Sequence, residues 1–132
     1  HRPGSARAVR YMLLDSNILI YSVNPAYPQL RGVVADSESS VSAITYVEVL
    51  GFHKLLPAEK LDLEQIFAAI AILPISRAVL DSAVHLRQQR KMTLGDALIA
   101  ATALTHNLTL ATRNTRDFAW IAGLTVHDPF QP

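Results

Sequence analysis

The stretch YMLLDSNILIY, residues 11–21, opens with a short apolar strand over 11–15 that stops at Asp15-Ser16-Asn17. Downstream, strand-like and helix-like patterns alternate. Residues 24–31, with Pro25 and Pro28, form a loop leading into a modest helix. SSVSAITYVEVLGF (39–52) reads as a strand near 41–44, then a helix from Thr45 to Leu56 halted by Pro57. AEKLDLEQIFAAIAI (58–72) is helical, with Leu63, Ile66, Phe67 and Ile70 on one face. ILPI (72–75) is a short strand, and Ser76 can cap the helix RAVLDSAVHLRQQRK (77–91). TLGDALIAATAL (93–104) is an almost wholly apolar helix. LTLAT (108–112) is a strand, NTRDFAWI (114–121) a short helix and LTVHD (124–128) a last strand. Strands alternating with helices imply a parallel sheet covered on both faces, in one α/β layered domain. No internal repeat, low-complexity tract or linker interrupts it.

Composition narrows the class. The chain has 132 residues, half of them hydrophobic and 17% charged, which describes a globular domain with a sizeable core. It has no cysteine, which excludes disulfides, thiolate zinc sites and cysteine nucleophiles and suits a reducing compartment. The longest apolar runs, IFAAIAILPI and ALIAATAL, fall short of the roughly 20 residues a membrane span needs. HRPGSARAVRY (1–11) lacks the apolar segment of a signal peptide. It reads as a tag-derived or disordered tail, with the natural start expected at Met12 and a cytoplasmic location. Of the 12 basic residues, Arg2, Arg7 and Arg10 lie in that tail, leaving 9 against 11 acids from Met12 onward. A domain that holds nucleic acid by bulk charge is clearly basic, so any such binding here is local.

The acids are placed with a pattern. Thr93-x-x-Asp96 is a capping box, and alone it marks only a helix start. Thr45-x-x-Glu48 and Asn114-x-x-Asp117 repeat the spacing, each acid falling in a first turn where the helix dipole favours the ionised form. In an open parallel sheet, helices that follow strands begin at the strands' carboxyl ends, where ligands bind. Glu48 and Asp117 therefore share an edge with Asp15, and Asp96 joins them if its helix runs the same way. Four acids on one rim repel one another and cannot all be explained as caps. Oxygen donors without His or Cys suit Mg²⁺ or Mn²⁺, ions that work on phosphates. Arg87, Arg90 and Lys91, before the Asp96 helix, and Arg113 and Arg116, beside Asp117, are the candidates to hold a polyanion. The first three also end a helix, where cations complement its dipole.

Four blocks carry a resemblance. MLLDSNILIY, SAITYVEVLGF, TLGDALIAATAL and LATRNTRDF, in this order and spacing, resemble the signature blocks of PIN-domain ribonucleases, with VapC toxins of bacterial toxin–antitoxin pairs the nearest likeness. The likeness runs from Met12 to about Phe130. It implies a three-layer α/β/α sandwich with a short parallel sheet and Mg²⁺- or Mn²⁺-dependent endonucleolytic cleavage of RNA. It further implies a homodimer, and an antitoxin whose tail blocks the acidic groove. By position, the metal-binding acids are Asp15, Glu48, Asp96 and Asp117. Asn17 takes the polar position two after the first acid, and Thr112 and Asn114 the polar positions ending the fourth strand. Asn114 is neutral where some relatives carry another acid, which weakens a second ion site.

Other readings are weaker. An aspartyl-phosphate mechanism of the haloacid-dehalogenase kind needs a second aspartate where Asn17 stands, and no G-x-G-x-x-G or phosphate-loop motif is present. Tyr46 and Trp120 read as core residues, and the scattered histidines as surface or core. A non-catalytic PIN-like module that binds RNA or protein is the alternative; metal-dependent RNA cleavage separates the two. The apolar stretch VLGFHKLL (49–56) and the helix 58–72 are candidate surfaces for an antitoxin helix or a second subunit.

Overall fold

The computed structural model describes residues 11–131, so the expected tail lies outside the described residues apart from Tyr11. Twelve elements follow one another: β1 (Met12–Leu14), α1 (Ser16–Ser22), α2 (Gln29–Ala35), β2 (Ser39–Ser42), α3 (Ala43–Leu50) and α4 (Pro57–Ala69), then β3 (Ala71–Leu73), α5 (Arg77–Gln89), α6 (Leu94–His106), β4 (Thr109–Ala111), α7 (Thr115–Phe118) and β5 (Val126–His127). The five strands form one sheet in the order β3-β2-β1-β4-β5, and every pairing is parallel. This is the expected three-layer α/β/α sandwich. Strand order reverses between β1 and β4, whose registers align Leu14 with Ala111.

The pleat sorts side chains between two cores. Leu13 and Leu110 point to one side, against Val79, Ala83 and Leu86 of α5, the buried face of α6, and Phe118. Met12, Leu14 and Ala111 point to the other, against Ile18, Leu19, Val34, Val49, Leu63 and Phe67. In α6 every residue from Ala97 to Ala103 is buried, so this helix is apolar all round and fills the space between sheet and α5. Thr93 caps its start, and Asn107, at φ 55°, ends it in the left-handed conformation that asparagine tolerates. One internal polar pin holds it: the buried Thr102 hydroxyl lies 3.2 Å from Ser42 Oγ and donates to Leu98 O at 2.7 Å.

Three boundaries differ from the sequence reading. Ile18 to Tyr21 belong to a helix, α1, capped by Asp15, although ILIY resembles strand sequence. The second strand and its helix begin earlier than expected, because Ser42 and not Thr45 is the cap, accepting from Ile44 N–H at 3.3 Å. That helix also stops at Leu50 on Gly51, and Pro57 starts α4 instead of halting α3. Tyr46, expected in the core, is 46% exposed and meets Phe67 edge-on. Among the described residues no helix is long and apolar enough to cross a membrane.

The packing predicts that Ile99→Ala, at a fully enclosed position, destabilises the protein by ~2–4 kcal/mol. Leu61→Ala, on an exposed face of α4, should stay within ~0.5 kcal/mol. Urea titrations of the two variants measure the contrast.

Candidate active site

Asp15 stands one residue beyond β1, where the strand order reverses and the carboxyl ends of β1 and β4 leave a crevice. Its backbone N–H still bonds to Ala111 O at 2.9 Å, extending the β1–β4 ladder by one rung. Both carboxylate oxygens are engaged. Oδ1 accepts from Ser16 N–H at 2.8 Å and Oδ2 from the Thr112 hydroxyl at 2.7 Å. Thr112 is itself fixed: its N–H donates to His127 O at 2.9 Å and its hydroxyl oxygen accepts from Asn114 N–H at 3.0 Å. Ser16 and Thr112 thus orient Asp15, while Asn17 sits exposed in the first turn of α1. Burial pushes the Asp15 carboxyl above its ordinary range; the bonds from Thr112 and Ser16 oppose this, and Glu48 and Asp117 add to it.

Glu48 lies in the second turn of α3, deeper than a capping box would place it. Ser16 donates to its Oε1 at 2.6 Å, and the Ser16 hydroxyl also lies 3.1 Å from that of Thr45, a residue buried beneath. Thr45 is therefore a support inside the helix and not its cap. The other Glu48 oxygen rests on the backbone of Gly95: a Cβ at that position would collide with Oε2. Gly95 separates Thr93, the cap of α6, from Asp96, and its lack of a side chain lets the two helices bring their acids together. Thr93 Oγ1 accepts from Asp96 N–H at 3.1 Å, so the forward half of the capping box forms.

Asp96 nevertheless does more than cap. Its half-buried carboxyl is pushed up to about 6, first by burial and then by Asp15, Asp117 and Glu48. Asp15 and Asp96 both feel the charges of Glu48 and Asp117, which brings the four acids to one rim. Asp117 is exposed in α7, whose N-cap Asn114 makes no side-chain capping bond.

The PIN-domain family pattern matches residues 12–124. The chain belongs to the PIN-domain family. This PIN domain is 30% identical to Ribonuclease VapC10 of Mycobacterium tuberculosis over 122 aligned residues, covering 81% of this chain and 85% of that protein. Among solved structures it is similar to a chain of a toxin–antitoxin complex from Klebsiella pneumoniae, 34% identical with a TM-score of 0.74, covering 89% of this chain and 97% of that one. FitAcB from Neisseria gonorrhoeae is 26% identical with a TM-score of 0.72, over 92% of this chain and 99% of that one. The resemblance read from the four sequence blocks is borne out.

Around the acids of this PIN domain the basic side chains divide. Arg87 Nε donates to Met92 O at 3.4 Å and so closes the turn between α5 and α6. The Arg90 guanidinium lies 5.3 Å from the ring centre of Trp120, whose indole N–H is bonded to Asp117 O at 3.0 Å. Lys91 and Arg116 are exposed, and Arg113 lies over the rings of Tyr21, Tyr27 and Phe130.

The donor set fits a hard divalent cation: it is all oxygen, and it is pinned at Asp15 by two hydrogen bonds. Among the described residues no three His, Cys, Asp or Glu side chains close into a cage. An open rim agrees with Mg²⁺, which keeps several waters and takes one or two carboxylates.

Folding raises the proton affinity of Asp15 and Asp96, so these groups favour the folded state below the ordinary carboxylate range. For Asp96 that advantage is lost as pH rises through about 6. Metal-free protein should therefore melt lower at pH 7 than at pH 5 as far as these groups decide it. Saturating Mg²⁺ or Mn²⁺ at pH 7 should raise the melting temperature by roughly 3–5 °C, as ~1 kcal/mol of ligand binding does in a domain of this size. Asp96→Asn should melt higher than the parent without metal and respond less to it. A parent indifferent to both ions would remove the acids as a metal site. Gly95→Ala should keep or raise metal-free stability, since alanine favours a helix by up to ~1 kcal/mol over glycine. By displacing Glu48 it should shrink the ion-induced shift in the same thermal melts.

Proposed function

We propose that this PIN domain is a Mg²⁺- or Mn²⁺-dependent endoribonuclease that hydrolyses RNA phosphodiester bonds, the toxin half of a toxin–antitoxin pair. The observation that carries the reading is the Asp15 carboxylate, fixed by Ser16 and Thr112 at the strand-order reversal, with Asp96, Glu48 and Asp117 gathered around it. The names of its relatives, a ribonuclease and a toxin–antitoxin complex, support it.

Asp15 and Asp96, with Asp117, would hold the ion. When bound, it supplies a Lewis acid that neutralises phosphate oxygens and lowers the pKa of water. Asp15 is held rigid by its two bonds, so it presents the same lone pairs in every turnover. Glu48, anchored through Oε1 to Ser16, is placed to orient a water or to take its proton. The Ser16 hydroxyl is committed to holding Glu48, so water and not Ser16 is the proposed nucleophile, with no covalent intermediate on the protein. Lys91 and Arg116 line the approach as phosphate contacts, with Arg113 a further RNA contact; Arg87 and Arg90, engaged with Met92 and Trp120, shape it.

A cognate antitoxin and a second copy of the chain are the proposed protein partners, and the cytoplasm the proposed location. The homodimer is supported by exposed apolar side chains on neighbouring helices. Leu80, Val84 and Leu94 are 46%, 57% and 57% exposed around a groove of about 540 Å³ between α5 and α6. Tyr46 and Val47 of α3 continue the apolar character on a helix that also packs on α6.

Purified protein should cut labelled structured RNA when Mn²⁺ is added and stop when chelator is added. Asp96→Asn should stay folded and lose activity by ~10²–10³, the range seen when one electrostatic stabiliser of a transition state is removed. Equal cutting by both proteins would refute the assignment of Asp96. RNA binding without cutting by the wild type would support the non-catalytic module instead.

A further inference from the structure

Arg113 directly follows Thr112, whose hydroxyl holds Asp15. Its guanidinium carbon lies 4.4 Å from the ring centre of Phe130, 5.2 Å from that of Tyr21 and 5.8 Å from that of Tyr27. The rings also pack edge-to-face on one another, with centres 5.3, 5.5 and 5.2 Å apart and planes inclined at 71°, 85° and 79°. They come from three separate segments. Tyr21 ends α1, Tyr27 sits in the loop before α2, and Phe130 follows β5 in a turn where its N–H bonds to Asp128 Oδ1 at 2.8 Å. Each ring is half-buried, while the guanidinium stands exposed.

Arg113 also bonds to the side chains of Tyr27 and Tyr21, so the cluster fixes the cation as well as the rings. An arginine there keeps a planar, charged surface open to solvent and held in place by the rings beneath it. This lies one residue beyond a phosphodiesterase site whose own rim is acidic and repels RNA. The charge balance from Met12 onward, 9 basic against 11 acidic residues, leaves RNA no bulk attraction, so contacts near the rim must supply the hold. Guanidinium planes and aromatic rings are the groups on which unpaired bases stack.

We propose that Arg113, backed by Tyr21, Tyr27 and Phe130, is a base-stacking subsite for single-stranded RNA, holding the nucleotide next to the scissile phosphate. The proposal rests on the ribonuclease reading, and its test is separable from it because binding is read without cutting. The probe is a set of oligoribonucleotides of about eight nucleotides, within the span of one single-strand site, carrying 2-aminopurine at successive positions. It is titrated into Asp96→Asn protein with and without Arg113→Lys. Stacking quenches 2-aminopurine, so one position should lose fluorescence on binding to the Asp96→Asn protein. Arg113→Lys keeps the charge but not the plane. It should restore that fluorescence and weaken binding roughly 5- to 100-fold, the range of one lost stack. The salt dependence should hardly change. Tyr27→Leu, which removes both the ring and its bond to Arg113, should weaken binding as well.

Equal affinity and equal quenching after Arg113→Lys, or no quenching at any position, would overturn the subsite. Unchanged RNA binding with loss of a co-purifying protein partner would assign the cluster to protein docking instead. In either case Mn²⁺-activated cutting by the wild type would leave the ribonuclease reading standing; its absence would count against that reading alone.

Discussion

A single buried carboxylate organises this molecule. Asp15 is 5% exposed and carries a charge that burial opposes, so its two oxygens must be satisfied from within the fold. One partner is local, the first amide of α1. The other, Thr112, is almost a hundred residues away in sequence, and it reaches Asp15 only because β4 pairs with β1. The bond is therefore both a structural closure and the means by which the Asp15 carboxylate is aimed. Thr112 is in turn tied to β5 through His127 and to the turn before α7 through Asn114. The position of Asp117 is thereby referred to the same point.

Around that anchor the remaining acids are delivered by helices with little freedom of their own. The helix α6 is buried from Ala97 to Ala103 and pinned by Thr102 to Ser42, which also caps α3. The helices bearing Asp96 and Glu48 thus share one polar contact in the core and meet again at the rim, where Gly95 admits the Glu48 carboxylate. Without a cation, the rim gathers like charges that a stability-driven design would have dispersed. Local electrostatic cost at a functional site, offset by a well-packed core, is the usual compromise of enzymes.

Much of this was legible in the sequence, and the misses have physical causes. The four acids stand out in the sequence because Asp15, Glu48 and Asp117 follow a strand near a helix start and Asp96 is the one charge in TLGDALIAATAL. α1 was missed because Ile18-Leu19-Ile20-Tyr21 has the β-branched and aromatic character of a strand; tertiary burial of Ile18 and Leu19 overrides that preference. Thr45 was taken for a cap because Thr-x-x-Glu fits the box, yet Ser42 is also a good cap, and the box does not choose between them. Pro57 has two meanings, since a residue that ends one helix equally well begins another. Gly95 lay in plain sight within TLGDALIAATAL, but its role is a close approach between chain segments 47 residues apart, which no local pattern encodes. The same holds for the ring cluster under Arg113, whose members become neighbours only once β5 is in place.

The register of β1 against β4 carries one more meaning. Asp15 and Thr112 each stand one step past the aligned pair Leu14 and Ala111, and the same alignment decides which side chains enter which core. Inserting or deleting one residue in either strand would turn its apolar side chains to the wrong layer and carry the acid out of reach of its partner. Length changes in β1 or β4 are thus doubly forbidden to evolution: two three-residue strands fix both the layering of the core and the place of the acid.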